Sequence, residues 1–344
     1  MKIAVTGSRG FIGRNLCVQL EERQHDVLEI NRETNHIDII SFLKEADFIF
    51  HLAGANRPLN SKEFQIDNID LTGSILNELK NLNRSVPIVF TSSTQVEIDN
   101  DYGTSKLAAE KLVQNYSAST GANYYIYRLP NVFGKWCKPN YNSFIATFCS
   151  NLVKGSDISI NDPNTPITLV YIDDVCSSFL NLLNDKPLSG FKDISIEYNT
   201  TVGQVANIIS SFKTSQAKLI TERVGSGLTR ALYSTYLSYK SPEQFHYSIS
   251  SHKDNRGIFT EMLKTKDSGQ FSFFTAYPGI TRGGHYHHSK NEKFLVIKGE
   301  AFFKFENILT GERYNLTVSE SNLKIVETIP GWSHDITNIG KEDR

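Results

Sequence analysis

The first thirteen residues constrain the fold more than any other stretch. A short apolar run, MKIAV, passes directly into Thr6-Gly7-Ser8-Arg9-Gly10-Phe11-Ile12-Gly13. Glycines three apart between an apolar run and an amphipathic stretch mark a strand, a tight turn and a helix. Gly7 allows the turn, Gly10 lets the backbone approach a pyrophosphate, and Gly13 lets helix and strand pack closely. The helix start, opened by Phe11 and Ile12, then presents free N–H groups and partial positive charge to an anion. Such an opening predicts an α/β fold that binds a dinucleotide.

The following residues keep the same rhythm. Residues 26–30 (DVLEI), 46–52 (ADFIFHL), 88–91 (IVFT) and 124–128 (YYIYR) read as buried strands. Between them, residues 11–23, 66–81 and 104–120 carry apolar side chains at helical spacing. Alternation of this kind predicts a Rossmann-type, doubly wound parallel sheet. From about residue 246 the texture changes to FSFFTAY, KFLVIKG and AFFKFEN, which are aromatic, β-branched and punctuated by glycine. That is an all-β pattern of sandwich or barrel type. A polar, proline-containing stretch at 238–245 (SYKSPEQF) predicts the boundary, giving domains of 1–243 and 246–344.

The second strand bears on which dinucleotide binds. An NAD site usually ends that strand in an acid that grips the ribose 2′-hydroxyl. Here Glu29 and Ile30 are followed by Asn31 where the acid is expected and by Arg32. Arg9, inside the glycine loop, is a second guanidinium within reach. Two planar forks suit a 2′-phosphate, so the expected cofactor is NADPH, with Glu29 as the alternative ribose ligand.

Tyr102 and Lys106 stand four apart at a helix start, hence on one face. A phenol titrates near 10, and a neighbouring cation lowers that by about 1–3 units, bringing proton transfer into range. The strand before them ends in Thr91-Ser92-Ser93-Thr94, placing hydroxyls at the sheet edge where ligands bind.

These residues, with HLAG at 51–54, RLPNVFG at 128–134 and YIDDV at 171–175, resemble the extended short-chain dehydrogenase/reductase family over roughly residues 1–240. That family includes nucleotide-sugar epimerases, dehydratases and reductases. The resemblance implies that Tyr102 donates a proton, and that Lys106 lowers its pKa and holds the nicotinamide ribose. It also implies that Ser93 hydrogen-bonds the substrate carbonyl, that Leu52 and Ala53 border the cofactor, and that Asn131 lines the sugar-nucleotide site. Ser93 and Tyr102 are closer in sequence than in many epimerases, which trims the active-site loop.

The C-terminal part holds six of the nine histidines: His246, His252, His285, His287, His288 and His334. His285 and His287 form an HxH whose side chains share one side of a strand. With Glu292 and His334 they make three nitrogens and a carboxylate, a donor set for Zn²⁺, Mn²⁺, Fe²⁺ or Ni²⁺. The spacing, with Gly279, Gly299 and Pro330-Gly331, resembles both motifs of the cupin superfamily and so implies a small jelly-roll barrel, possessing a divalent metal, Zn first among them. Asp254-Asn255-Arg256-Gly257 and Arg282-Gly283-Gly284-His285 resemble stretches of deoxysugar 3,5-epimerases and 3,4-ketoisomerases. Arg256 and Arg282 are the substrate-binding candidates from those stretches.

Over its whole length the chain resembles the bifunctional capsular-polysaccharide enzymes that fuse such a reductase to a cupin. That resemblance implies a UDP-2-acetamido-2,6-dideoxy-4-keto-hexose as substrate. The cupin would epimerise C3, with His288 and Tyr286 as candidate bases, and the reductase would reduce C4 with NADPH. The product is UDP-N-acetyl-6-deoxy-L-talosamine, on the way to the L-fucosamine sugar of a capsule or O-antigen. Reduction must come second, because the C3 proton is acidic only beside a ketone. A ketoisomerase, or a non-catalytic metal-binding dimerisation module, remains the alternative for the second domain. The resemblance also implies about one further barrel strand beyond Arg344.

Composition narrows the partners. With 36 Lys+Arg against 37 Asp+Glu, net charge −1, nothing favours nucleic acid or an anionic membrane. No apolar window is long enough to span a bilayer, and the opening apolar run is too short for a signal peptide. Four scattered cysteines without a CxxC fit a reducing cytoplasm. A homodimer is the default expectation for such enzymes.

Overall fold

The computed structural model describes residues 1–341 except Leu59, Asn142, Lys186, Asp267, Ser268, Ser289 and Asn291. The chain divides into two compact units. One comprises Met1–Thr214 and Arg223–Phe245; the other takes Ser215–Glu222 together with the chain from His246 onward.

The first unit is built on strands β1 (Lys2–Thr6), β2 (Asp26–Ile30), β3 (Phe48–His51), β4 (Ile88–Ser93), β5 (Tyr124–Leu129), β6 (Asn131–Phe133), β7 (Pro166–Tyr171), β8 (Gly190–Lys192) and β9 (Tyr198–Thr201). Six of them form a sheet in the order β2-β1-β3-β4-β5-β8, every pair parallel. β6, β7 and β9 form a smaller mixed sheet. Alternation explains why the large sheet is covered on both faces. Ile3, Val5, Phe48 and Phe50 enter one apolar cluster, while Ala4, Ile49, Ile88 and Phe90 enter the other. Strand order reverses between β1 and β3, and ligands bind beyond the carboxyl ends of strands at such a reversal.

The helices begin where their caps allow. Gly10 precedes helix Phe11–Glu22 without any side-chain cap, which leaves that N-terminus open. Helix Asp101–Thr120 starts three residues earlier than its apolar spacing predicts, because the Asn100 side chain accepts the Gly103 N–H at 2.7 Å. The predicted helix at 66–81 opens instead with a π-turn, Gln65–Asp70, before the regular helix Leu71–Asn81. π-turns are rare and concentrate at functional positions.

The second unit contains β10 (Ile220–Thr221), β11 (Ser251–Asp254), β12 (Gly257–Thr265), β13 (Gln270–Phe274), β14 (Thr281–His285), β15 (Lys293–Leu295), β16 (Glu300–Asn307), β17 (Arg313–Ser319), β18 (Ile325–Glu327) and β19 (Trp332–Asn338). β12 is flanked by β10, β11 and β13; a second sheet runs β14-β19-β16-β17, and β15 pairs with β18. From His246 onward the described residues contain no helix. Ala301, Phe303 and Phe305 alternate inward from β16 and meet Val318, Val326 and Ile336 in a small core. The sequence reading places Ser215–Glu222 with the first domain, whereas this stretch clusters with the second unit, where β10 runs parallel to the end of β12. A two-residue strand carries no periodicity by which a sequence could announce it.

Among the described residues, no helix is long and apolar enough to cross a membrane. All four cysteines are buried.

Candidate functional site

At the switch point of the first unit lies a cavity of about 730 Å³. Gly7, Arg9 and Gly10 line it from the glycine turn, Asn31 and Arg32 from the end of β2, and Leu52, Ala53 and Gly54 from the end of β3. Gly7 has φ +68°, and a Cβ there would stand 2.9 Å from the Ala53 backbone. At Gly13 a Cβ would lie 2.1 Å from the Gly7 carbonyl oxygen, so only glycine lets the helix pack this closely. Phe11 and Ile12 turn back to pack on the apolar cluster behind the loop. The open helix end, the bare glycine floor and the volume together fit the pyrophosphate of a dinucleotide.

Two guanidiniums flank the ribose end of this cavity, each on a carboxylate. Arg9 pairs with Glu33, and Arg32 donates to Asp67 at 2.8 Å. Asn31 takes the place of the acid that ends the second strand in NAD sites. Its side-chain oxygen accepts the Glu33 N–H at 2.9 Å, and so shapes the turn that carries Arg32 and Glu33.

Behind the cavity, helix Asp101–Thr120 brings Tyr102 and Lys106 to the end of β4. Ser93 acts on the Tyr102 hydroxyl as a hydrogen-bond partner, and Lys106 follows Tyr102 by one turn of the same helix. Lys106 is 5% exposed and donates to the Thr91 carbonyl at 3.0 Å, 5.0 Å above the Phe90 ring. Its ammonium stands against Gly54, where a Cβ would approach Nζ to 3.0 Å. Burial lowers the Lys106 pKa to about 8, with Glu110 acting in the opposite direction. Burial raises the Tyr102 hydroxyl above its ordinary value, and the Ser93 hydrogen bond only partly offsets this. The phenol is therefore not acidified by its neighbours alone.

Residues that the sequence reading passed over hold this arrangement in place. His51 is fully buried between two threonines, with Nδ1 2.7 Å from Thr6 Oγ1 and Nε2 2.8 Å from Thr72 Oγ1. The Thr72 hydroxyl donates to the Asn68 carbonyl at 2.6 Å, so its oxygen receives the His51 Nε2–H. Thr6 Oγ1 accepts the Leu52 and Ala53 N–H groups at 3.1 Å each and donates to Nδ1. Every donor and acceptor along this chain is used, which assigns a single tautomer. Burial, with Lys106 nearby, lowers the His51 pKa to about 3. Asn68, in the π-turn, ties Ala55 to Ser105 on helix Asp101–Thr120, at 2.8 and 2.9 Å. Asn131 stands apart from the trio on β6, donating to the Thr168 carbonyl at 3.3 Å.

In the second unit, His285, His287, Glu292 and His334 come together with ligand atoms within 4.8 Å of one another. Glu292 Oε2 lies 3.1 Å from His287 Nε2 and 3.3 Å from His334 Nε2. Those distances approach the edge of about 3.4 Å expected of a tetrahedron with metal bonds near 2.1 Å. The donors arrive from β14, the segment beyond it and β19, where the β14–β19 pairing sets His285 opposite His334. Burial acts to raise the Glu292 carboxyl, but hydrogen bonds from Lys290 and His287 outweigh it and leave the pKa lowered. His334 is lowered by burial and by His285. Neutral imidazoles with an ionised carboxylate are the protonation states a divalent cation requires. The donor set fits a metal ion.

Two arginines converge on one carboxylate beside this cluster. Arg256 forks onto Asp254 at 3.0 and 2.6 Å, and Arg282 reaches the same group at 3.9 Å from above the Phe274 ring. Tyr286 and His288 pack edge to face with centroids 5.2 Å apart.

With this geometry in place, the relatives are informative. Residues 3–194 match the NAD dependent epimerase/dehydratase family, and residues 252–344 match the polysaccharide biosynthesis C-terminal domain. The chain is 52% identical to a UDP-2-acetamido-2,6-beta-L-arabino-hexul-4-ose reductase of Pseudomonas aeruginosa, across 100% of this chain and 93% of that one. Among solved structures it is similar to the capsular polysaccharide assembling protein CapF from Staphylococcus aureus. That match has a TM-score of 0.90 and 39% identity, covering 99% of this chain and 93% of that one. A UDP-glucuronic acid 4-epimerase from Bacillus cereus, solved with NAD, aligns with a TM-score of 0.59 at 17% identity over 70% of this chain and 98% of its own. The last match concerns fold alone.

Proposed function

The chain belongs to the NAD dependent epimerase/dehydratase family, and from that premise we propose that it is a bifunctional nucleotide-sugar enzyme. Its first unit reduces the C4 ketone of a UDP-2-acetamido-2,6-dideoxy-4-keto-hexose with NADPH. Its second unit, a metal-binding cupin, epimerises C3 beforehand, so that the product is UDP-N-acetyl-6-deoxy-L-talosamine. The observation that carries the reading is the placement of Ser93, Tyr102 and Lys106 next to the cavity, with the buried Lys106 ammonium against Gly54 of its lining. The Pseudomonas aeruginosa relative, a named 4-keto-sugar reductase aligned over the whole of this chain, supports the substrate class.

Within the first unit, bound NADPH supplies the hydride. Ser93 and Tyr102 hydrogen-bond the ketone oxygen, and Tyr102 delivers its proton there as the alkoxide forms. Lys106, fixed by the Thr91 carbonyl, holds positive charge beside the developing tyrosinate. That charge acts on the tyrosinate as it forms during the reaction and not on the resting phenol. Arg9 and Arg32 receive the 2′-phosphate by exchanging their partners Glu33 and Asp67 for it. Asn131 borders the sugar-nucleotide site.

Within the second unit, His285, His287, Glu292 and His334 would hold a divalent ion, Zn²⁺ in this proposal, whose Lewis acidity polarises a carbonyl. Arg256 and Arg282, both on Asp254, orient the substrate. His288 and Tyr286 are the candidate bases for C3. The enzyme acts in the cytoplasm as a homodimer. Phe271 and Phe273, alternate and exposed on β13, are the type of apolar surface that self-association covers.

The decisive experiment incubates the protein with the UDP-linked 4-keto-6-deoxy-N-acetylhexosamine and NADPH, with and without chelator, and follows products by NMR in deuterated water. The reading expects chelator to suppress deuterium at C3 and, with it, NADPH oxidation from this substrate, whereas oxidation supported by the C3-epimerised ketone is chelator-insensitive. A ketone that migrates from C4 to C3 would instead mean a 3,4-ketoisomerase. Deuterium incorporation that survives both chelation and His334→Ala would remove the metal site from the reaction.

A further inference from the structure

Three charged residues around the reductase site have no part in the chemistry just described. Glu110 lies one helical turn beyond Lys106 and is 1% exposed. A carboxylate buried that deeply is costly unless fully paired. Arg128 of β5 meets it with a fork, Nε to Oε1 at 3.0 Å and Nη2 to Oε2 at 2.8 Å. The β4–β5 register sets Arg128 opposite Ser92 and so next to Ser93. Its remaining nitrogen, Nη1, lies 3.7 Å from Glu97. Glu97 closes the turn Thr94–Glu97 that follows Ser93. On its open side the guanidinium is roofed by the Phe191 ring, 4.7 Å away. Glu97 thus follows Ser93 by four residues, Glu110 follows Lys106 by four, and one guanidinium bridges the two carboxylates.

We propose that Arg128, clamped between Glu110 and Glu97, is a positioning residue for the reductase site, and that Glu110 keeps Lys106 charged. The inference rests on the reductase reading above. Around Lys106 lie the neutral His51, the phenol Tyr102 and the carboxylate Glu110, with Arg128 and Glu97 behind it. Phe90 and Gly54 close the remaining sides and offer the ammonium little solvation. Glu110 is the anion in that shell, and the Arg128 fork fixes its aim. Loss of the Glu110 charge therefore leaves two cations facing each other, whereas loss of the Arg128 charge leaves an anion whose nearest cation is Lys106. The two changes must act on Lys106 in opposite senses.

That opposition supplies the test. With Glu110→Gln, the alkaline limb of the pH–rate profile for NADPH-dependent reduction is expected to move about one unit toward acid. At pH 8 its kcat falls about fivefold, with the sugar KM within about twofold. With Arg128→Gln the limb moves toward alkali. Glu110→Asp, which keeps the charge, retains the wild-type limb. The same three shifts are read without any sugar from the pH dependence of NADPH affinity, by fluorescence titration. Absence of turnover in the wild type would remove the reductase reading while leaving the NADPH titrations to decide the clamp. Wild-type turnover with both Gln variants unmoved, or moved in the same direction, overturns the clamp. If neither Gln variant folds, Arg128→Lys decides. It keeps the charge and loses the fork, so an unmoved limb with lowered kcat supports the clamp and a shifted limb overturns it.

Discussion

The two units protect their polar groups in contrasting ways. In the first, Lys106, Glu110, His51 and Asn68 sit at or below 5% exposure behind two large apolar clusters on either face of one sheet. In the second, the core has six buried apolar side chains, and three of the four clustered ligands remain partly open. Desolvation sets ionisation in the first unit; in the second, burial acts together with hydrogen bonds and charges from Lys290 and from within the cluster. The first site is therefore held together by the fold, whereas the second unit depends on whatever ties its ligands together.

Tyr102→Phe gives the sharpest contrast. It should lower NADPH-dependent reduction by about 10²–10⁴, the usual range for losing a general acid, while leaving C3 deuterium exchange intact. Loss of both activities would show that the sites are not separately protected. Next in size is chelation. Removing metal, or changing His334 to Ala, should lower the melting transition of the second unit by several degrees and leave that of the first unchanged, as calorimetry would record. Equal effects on both transitions would erase the contrast.

Lys106→Met should abolish reduction and yet stabilise the first unit. Because the folded pKa is about 8 against 10.5 when exposed, burying the ammonium costs stability at every pH below about 8. That cost fades as pH rises from about 8 toward 10.5. At pH 7 the variant should gain on the order of 1–3 kcal/mol in urea unfolding, and no gain at pH 10.5. His51 acts at the other end of the scale. With its pKa at about 3 against 6.5, it stays neutral in the folded state while the unfolded chain takes up a proton. Stability of the first unit should fall as pH drops from 6.5 toward 3, and His51→Gln should flatten that slope. The smallest effect is expected at Arg32. It is largely exposed, and Arg32→Ala should weaken NADPH about tenfold while leaving NADH binding nearly unchanged in fluorescence titrations.

What the sequence discloses depends on how far apart the cooperating residues stand. The glycine turn, the five leading strands and the Tyr102–Lys106 pair are local patterns, legible by spacing alone. The cluster of His285, His287, Glu292 and His334 is legible because its residue types are chemically unusual together. The His51 chain is invisible at that level: Thr6, His51 and Thr72 are ordinary residues that meet only once β1, β3 and helix Leu71–Asn81 are assembled. Arg128 lies within the RLPNVFG stretch, yet its partners Glu97 and Glu110 belong to segments that no periodicity links to it. The pKa of Tyr102 teaches the same lesson, because a cation four residues away does not acidify a phenol when its Nζ is bound to the Thr91 carbonyl.

The eight residues Ser215–Glu222 reach beyond architecture. The second unit begins within the first, since helix Gly227–Leu237 of the first unit is still to come when β10 has already been made. During synthesis, therefore, one edge strand of the later unit must wait unpaired until β12 follows it out of the ribosome. No single cut of the chain separates the two units whole. Gene shuffling by simple end-to-end joining would leave one recipient without its edge, so these two units are expected to be inherited together.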